Sequence, residues 1–88
     1  MAAFHFKISS PDGNLFEGPV SMVSVRGAEG DLAVMAGHIP FVTTVKPCDC
    51  KITDEDGEER VGRTDGGLLS VTPDGATLFS WNFRWQEA

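Results

Sequence analysis

Few side chains in this chain have the type and spacing to carry chemistry. Cys48 and Cys50 are its only thiols. Zinc sites and thioredoxin-type redox sites use Cys-x-x-Cys, whereas here a single residue intervenes and no second pair exists. On a strand, residues i and i+2 share a face with Cα atoms about 7 Å apart, at the edge of disulfide reach. Two small thiols turned into a core fit that spacing better. His5 and His38 are the only imidazoles. A general base needs a positioned nucleophile or metal, and the sequence marks neither, so both histidines read as structural or interface residues. Asp54, Glu55, Asp56, Glu58 and Glu59 form the one acidic block. A calcium loop of the EF-hand kind needs about twelve residues between helices, so a solvated hairpin tip is the expectation. Gly27-Ala28-Glu29-Gly30 and Gly66-Gly67 lack the Lys-Ser/Thr and following helix of a phosphate loop. No catalytic residue, metal ligand or cofactor site is expected.

Such residues must be placed by a small body. Eighty-eight residues support one domain, here 1–88. Seven Lys and Arg against thirteen Asp and Glu give a net charge of −6, with the cations scattered from Lys7 to Arg84. That argues against nucleic acid and against docking on anionic lipid. A hydrophobic fraction of 41% with 23% charged residues suits a folded domain rather than a disordered one. No apolar run approaches the ~20 residues of a spanning helix. The start MAAFHFK does not read as a signal peptide, so the thiols are expected to meet a reducing cytosol.

Turn signals are frequent. Asp-Gly stands at Asp12-Gly13, Asp56-Gly57 and Asp74-Gly75, each read as a two-residue type I′ reversal. Between them lie strand patterns. Phe4 to Ser9 alternates with apolar residues on even positions. Cys48 to Ile52 alternates likewise, with a return strand near Glu59–Arg63. Gly67–Thr72 and Ala76–Trp85 read as another hairpin. Val20–Arg26, Leu32–Ala36 and Phe41–Val45 carry apolar residues of both parities, as at a strand covered on both sides or a sheet corner. No Gly- and Pro-free stretch shows a helical period. The fold class is all-β, an antiparallel sandwich or flattened barrel of about 8–10 short strands without C-terminal helices. The residues alone give a small acidic interaction module. A free-standing ligand- or carbohydrate-binding module is the alternative, and a small metal-dependent enzyme a weaker third.

In order along the chain stand Phe16-Glu17-Gly18, then Val23-Ser24-Val25-Arg26-Gly27-Ala28-Glu29-Gly30-Asp31-Leu32-Ala33-Val34-Met35-Ala36-Gly37-His38-Ile39-Pro40, then Val45-Lys46-Pro47 and Gly66-Gly67-Leu68-Leu69-Ser70-Val71. This succession closely resembles the N-terminal β-sandwich domain of the ε subunit of F-type ATP synthases, called δ in mitochondria. The similarity spans about residues 4 to 80. It implies a non-catalytic part of the central stalk, beside the γ subunit and on the polar loops of the c-ring, turning with both. It also implies a peripheral place on the cytoplasmic face of a bacterial plasma membrane, with membrane contact only through the complex. The c-ring contact falls on Glu29 and Asp31, acids expected to be free on a glycine-rich tip. The γ interface is assigned to His38, Trp81, Phe83 and Trp85.

The family's members commonly continue as a helical hairpin of about 40–50 residues that restrains hydrolysis. With Ala88 last, that role is not carried over; the chain reads as either a naturally short subunit or a truncated one, and the start at Met1 favours the first. The aromatics Phe79, Trp81, Phe83 and Trp85 share one parity and, on an unbroken strand, one face. Phe79 and Trp81 are expected to close the core. Phe83 and Trp85 are expected to cover the sandwich or the γ subunit, because leaving two rings in water at a chain end forfeits about 150–250 Å² of burial each.

Overall fold

The computed structural model describes residues 3–37 and 39–86. They form nine strands: β1 (Phe4–Ser10), β2 (Gly13–Gly27), β3 (Gly30–Met35), β4 (Phe41–Val45), β5 (Cys48–Asp54), β6 (Glu59–Thr64), β7 (Gly67–Thr72), β8 (Gly75–Ser80) and β9 (Phe83–Trp85). Hydrogen bonding runs β1-β8-β7-β4-β2-β5-β6-β9, with β3 also on β2 and β1 paired to β2 as well as β8. Only β1 and β8 run parallel, from His5 opposite Gly75 to Ser9 opposite Phe79. The all-β expectation holds.

The 15-residue β2 belongs to both layers of the sandwich. Its first half pairs with β1, from Gly13 opposite Ser10 to Val20 opposite Phe4. Its second half lies between β3 and β5. The register shifts between Val20 and Met22, a bulge that leaves Ser21 as the extra residue. One extra residue exchanges the two faces of a strand. Phe16, Gly18 and Val20 turn inward before the bulge, and Val23 and Val25 after it, which explains the mixed parity of this segment. The Ser21 hydroxyl is itself buried, and it donates to the carbonyls of Thr53 and Asp54, 3.3 and 3.0 Å away.

A second change of layer follows β8. Trp81 and Asn82 interrupt the expected continuous strand Ala76–Trp85, and β9 pairs with β6. The buried Thr64 and Ser80 hydroxyls lie 2.6 Å apart at this corner. The Thr64 hydroxyl accepts from the Gly66 amide at 3.1 Å, and Ser80 donates to the Asn82 carbonyl at 2.9 Å. The Trp81 amide donates to the Gly66 carbonyl, and the Asp65 amide to that of Asn82, both at 3.0 Å. A Cβ at Gly67 would overlap the carbonyl of Phe79 on β8, so the second glycine of Gly66-Gly67 admits close strand approach.

Inward parity is even in β8 and odd in β9. The four aromatics therefore do not share a face. Phe79 and Trp81, expected in the core, are exposed at 45% and 67%. Phe83 is buried, its ring over Gly62, where any Cβ would collide with it. Trp85 is half-buried and meets Phe83 and Phe16 edge-on, with ring centroids 5.1 and 6.0 Å away. The Arg60 guanidinium stacks 3.8 Å above the Trp85 ring, a cation–π contact at the rim between the layers.

The two-residue reversals also differ from expectation. Ser10 pairs with Gly13 and Thr72 with Gly75, so the loops are Pro11-Asp12 and Pro73-Asp74, with the glycine outside. Proline fixes φ near −65° and forbids type I′ there. The positive φ falls on Gly13 and Gly75, and on no described non-glycine residue. Ser10 and Thr72 each accept from the aspartate amide two residues on, at 3.2 and 3.3 Å.

One core joins Phe6, Ile8, Val20, Val23, Val25, Ile52, Leu69, Val71 and Leu78 with Cys48, Cys50 and Phe83. Both cysteines are buried and unbridged, as their spacing predicts. The Cys48 sulfur accepts from the Arg26 amide at 3.3 Å. Burial, and secondarily the neighbouring Cys48, push the Cys50 thiol up from 9.0 to about 12.

Three outcomes follow from this packing. A folded-state value above the unfolded one means that the protonated thiol favours the fold. That stability is fully present below pH 9.0 and lost as pH rises towards about 12. Urea titrations across this window should show a shallower alkaline decline for Cys50→Ala than for the parent. Gly67→Ala should lower stability by about 1–3 kcal/mol, read as an earlier urea midpoint at constant m-value. Trp85→Ala should cost the isolated chain about 1–3 kcal/mol in the same assay; an unchanged midpoint would show that the indole covers nothing.

Candidate interaction surfaces

The β2–β3 hairpin carries the glycine-rich tip. Gly27 pairs with Gly30, so Ala28-Glu29 is a two-residue loop, and Arg26 stands opposite Asp31. Glu29 and Asp31 are both exposed. Expected to be free, Asp31 is already engaged: it accepts from Arg26 Nε at 3.0 Å, with both side chains well exposed. Pairing directly across an antiparallel ladder brings these side chains together on one face. The hydrogen bond and charge of Asp31 raise the Arg26 pKa, so the guanidinium stays charged. Exposed pairs of this kind contribute little because solvent screens them, so the bond yields easily to an incoming partner. Glu29 has no such partner among the described residues.

The acidic hairpin between β5 and β6 uses its first carboxylate on itself. Asp54 Oδ1 accepts from the amides of Asp56 and Glu58, both at 2.9 Å. His5, at the opposite end of the chain, is exposed and 2.9 Å from Glu17. Among the described residues no group of three or more His, Cys, Asp or Glu could hold a metal ion.

The residues assigned to γ separate. His38 lies outside the described residues; Gly37 and Ile39 beside it are exposed. Phe83 belongs to the domain's own core and offers no surface, because the parity change after Ser80 turns it inward. Trp85 covers the rim. Trp81 remains as an exposed ring, next to a shallow hollow of about 250 Å³ lined with Ser9, Ser10, Pro11 and Phe79.

Sequence reasoning missed the setting of that ring. Thr44 pairs with Leu68, Leu68 with Phe79 and Phe79 with Ser9, one row across four strands. The neighbouring row is Val42, Ser70, Thr77 and Lys7. This outer face of the β4-β7-β8-β1 layer holds a single charge. Val42 is 63% exposed, which suits a covered surface better than a solvated one. The signal lay in the outward parity of four separate strands, visible only once their register is known.

Residues 3–86 match the family model described as ATP synthase, Delta/Epsilon chain, beta-sandwich domain. The chain is 42% identical to the ATP synthase epsilon chain of Caulobacter vibrioides over 81 residues, covering 91% of this chain and 92% of that one. Among solved structures, a chain of the Euglena gracilis mitochondrial ATP synthase (OSCP/F1/c-ring, rotational state 1) superposes with a TM-score of 0.89 at 21% identity. That match covers 97% of this chain and 54% of the other, so this chain spans about half the length of that relative. A chain of the Tetrahymena thermophila mitochondrial ATP synthase central stalk and c-ring gives 0.78 at 11% identity, covering 92% of this chain and 65% of that one. At such identities the structural likeness shows the fold. Family membership stands on the match across nearly all of both layers, and the chain belongs to the delta/epsilon family of ATP synthase chains through its β-sandwich domain.

Proposed function

We propose that this chain is a non-catalytic rotor subunit of an F-type ATP synthase. It would hold the γ subunit to the c-ring, so that ion-driven rotation reaches the catalytic head. The family match over residues 3–86 carries this reading. The surfaces are consistent with it. An exposed tip with Glu29 and Asp31 suits the polar loops of a c-ring, where complementary charge sets register more than affinity. The sparsely charged face with Val42, Leu68, Phe79 and Trp81 suits γ, to which the sequence motif Gly37-His38-Ile39-Pro40 is also assigned. The chain would then sit at the membrane only through the complex, on the cytoplasmic face of a bacterial plasma membrane. ATP-binding and ion-carrying groups would belong to other subunits.

Pull-down of the tagged chain from detergent-solubilised membranes of its source should recover the α, β, γ and c subunits. Recovery of the chain alone would refute the assignment. Within the assembled complex, Asp31→Ala combined with Glu29→Ala should weaken c-ring association by at most about thirtyfold. That follows from about 0–1 kcal/mol for each exposed pair, and the effect should shrink at high salt, where the parent contact is already screened. Trp81→Ser should weaken γ binding while leaving the thermal midpoint of the free chain unchanged, since a ring 67% exposed adds little to the core.

A further inference from the structure

The chain is acidic overall, yet one face is not. In the second layer, outward residues of β2, β5, β6 and β9 bring together Arg26, Lys51, Arg63 and Arg84, four of the seven Lys and Arg in the sequence. Arg26, Lys51 and Arg63 line an open groove of about 520 Å³ with Asp31 and Asp49. Arg84 stands beside it, directly opposite Arg63 in the β6–β9 ladder. Four cations against two carboxylates leave this region positive on a chain of net charge −6. Glu59 is on the same face at the far end of β6, outside the groove.

The pairing is unfavourable in the free chain. Like charges directly opposite on one face of a ladder repel. Asp49 lies 3.4 Å from Arg63 and 2.9 Å from the Gln86 amide, so its charge is shared. Arg84 and Lys51 have no ion-pair partner among the described residues. We propose that this groove is a docking surface for an acidic segment of a protein partner, whose carboxylates would sit between Arg63, Arg84 and Lys51. Planar carboxylates match the arginine fork in a bidentate manner. Asp31 and Asp49 at the groove wall favour a polypeptide over a phosphate polymer or a lipid surface. A peptide can set a cation or an amide against each aspartate, whereas a uniformly anionic array meets repulsion there. The surface is separate from the sparsely charged face proposed for γ, and the proposal does not depend on the ATP synthase reading.

The test uses the full chain and a fluorescein-labelled Glu-Ser repeat peptide, followed by anisotropy at low salt. The peptide is expected to bind with a Kd at or below about 1 mM. Arg84→Gln should weaken binding about fivefold, and Lys51→Gln with Arg84→Gln about tenfold or more, whereas Lys7→Gln on the opposite face changes nothing. Arg84→Gln should keep or raise the thermal midpoint, because it relieves the Arg63 repulsion; if that variant misfolds, Lys51→Gln alone carries the test. Absence of peptide binding would overturn the proposal. So would equal loss on Lys7→Gln, or tighter binding of inorganic tripolyphosphate through the same residues.

Discussion

A two-layered sandwich built from one chain without helices has to pass strands from layer to layer, and each passage exchanges the inward and outward faces. Everything else in this fold follows from the two places where that exchange is made. At Ser21 it is a one-residue bulge inside a continuous strand. After Ser80 it is a two-residue break between β8 and β9. Without the first, Val23 and Val25 would face water. Without the second, Phe83 would leave the core and Arg84 would enter it.

Both crossings bury hydroxyls rather than charges. Ser21 bonds to two carbonyls of β5, and Thr64 and Ser80 bond to each other. A hydroxyl can donate and accept at the same site, which lets it complete backbone groups left over where a ladder is interrupted. The result is a body whose surfaces are held in fixed relation: an acidic tip on the β2–β3 hairpin, a nearly uncharged outer face on one layer and a basic one on the other.

The strands themselves were legible. Period-two alternation in Phe4–Ser9 and Cys48–Ile52 foretold both the elements and their buried sides, including the thiols. The acids of the tip were legible too, because a two-residue hairpin loop has nowhere to hide Glu29. What stayed hidden depends on register. Alternation from Phe79 to Trp85 is perfect as a string, and nothing in it announces that Trp81 and Asn82 reset the parity. The type I′ reading of Asp12-Gly13 and Asp74-Gly75 ignored the proline one position earlier, whose fixed φ moves the loop back by one residue. The cations looked scattered because lateral neighbours such as Arg63 and Arg84 are joined by hydrogen bonds, not by sequence.

The parallel pairing of β1 with β8 has a consequence for how the molecule comes into being. His5 meets Gly75, so the first strand, paired locally with β2, finds its second partner only after nearly the whole polypeptide is available. The hairpins β2–β3, β5–β6 and β7–β8 are local and can form early, but closing this long loop carries an entropic cost that their contacts do not share. The topology implies that a nascent chain still attached to the ribosome holds Phe6 and Ile8 without their β8 neighbours until synthesis is almost complete. Until then the apolar side of β1 is a surface for chaperones to guard.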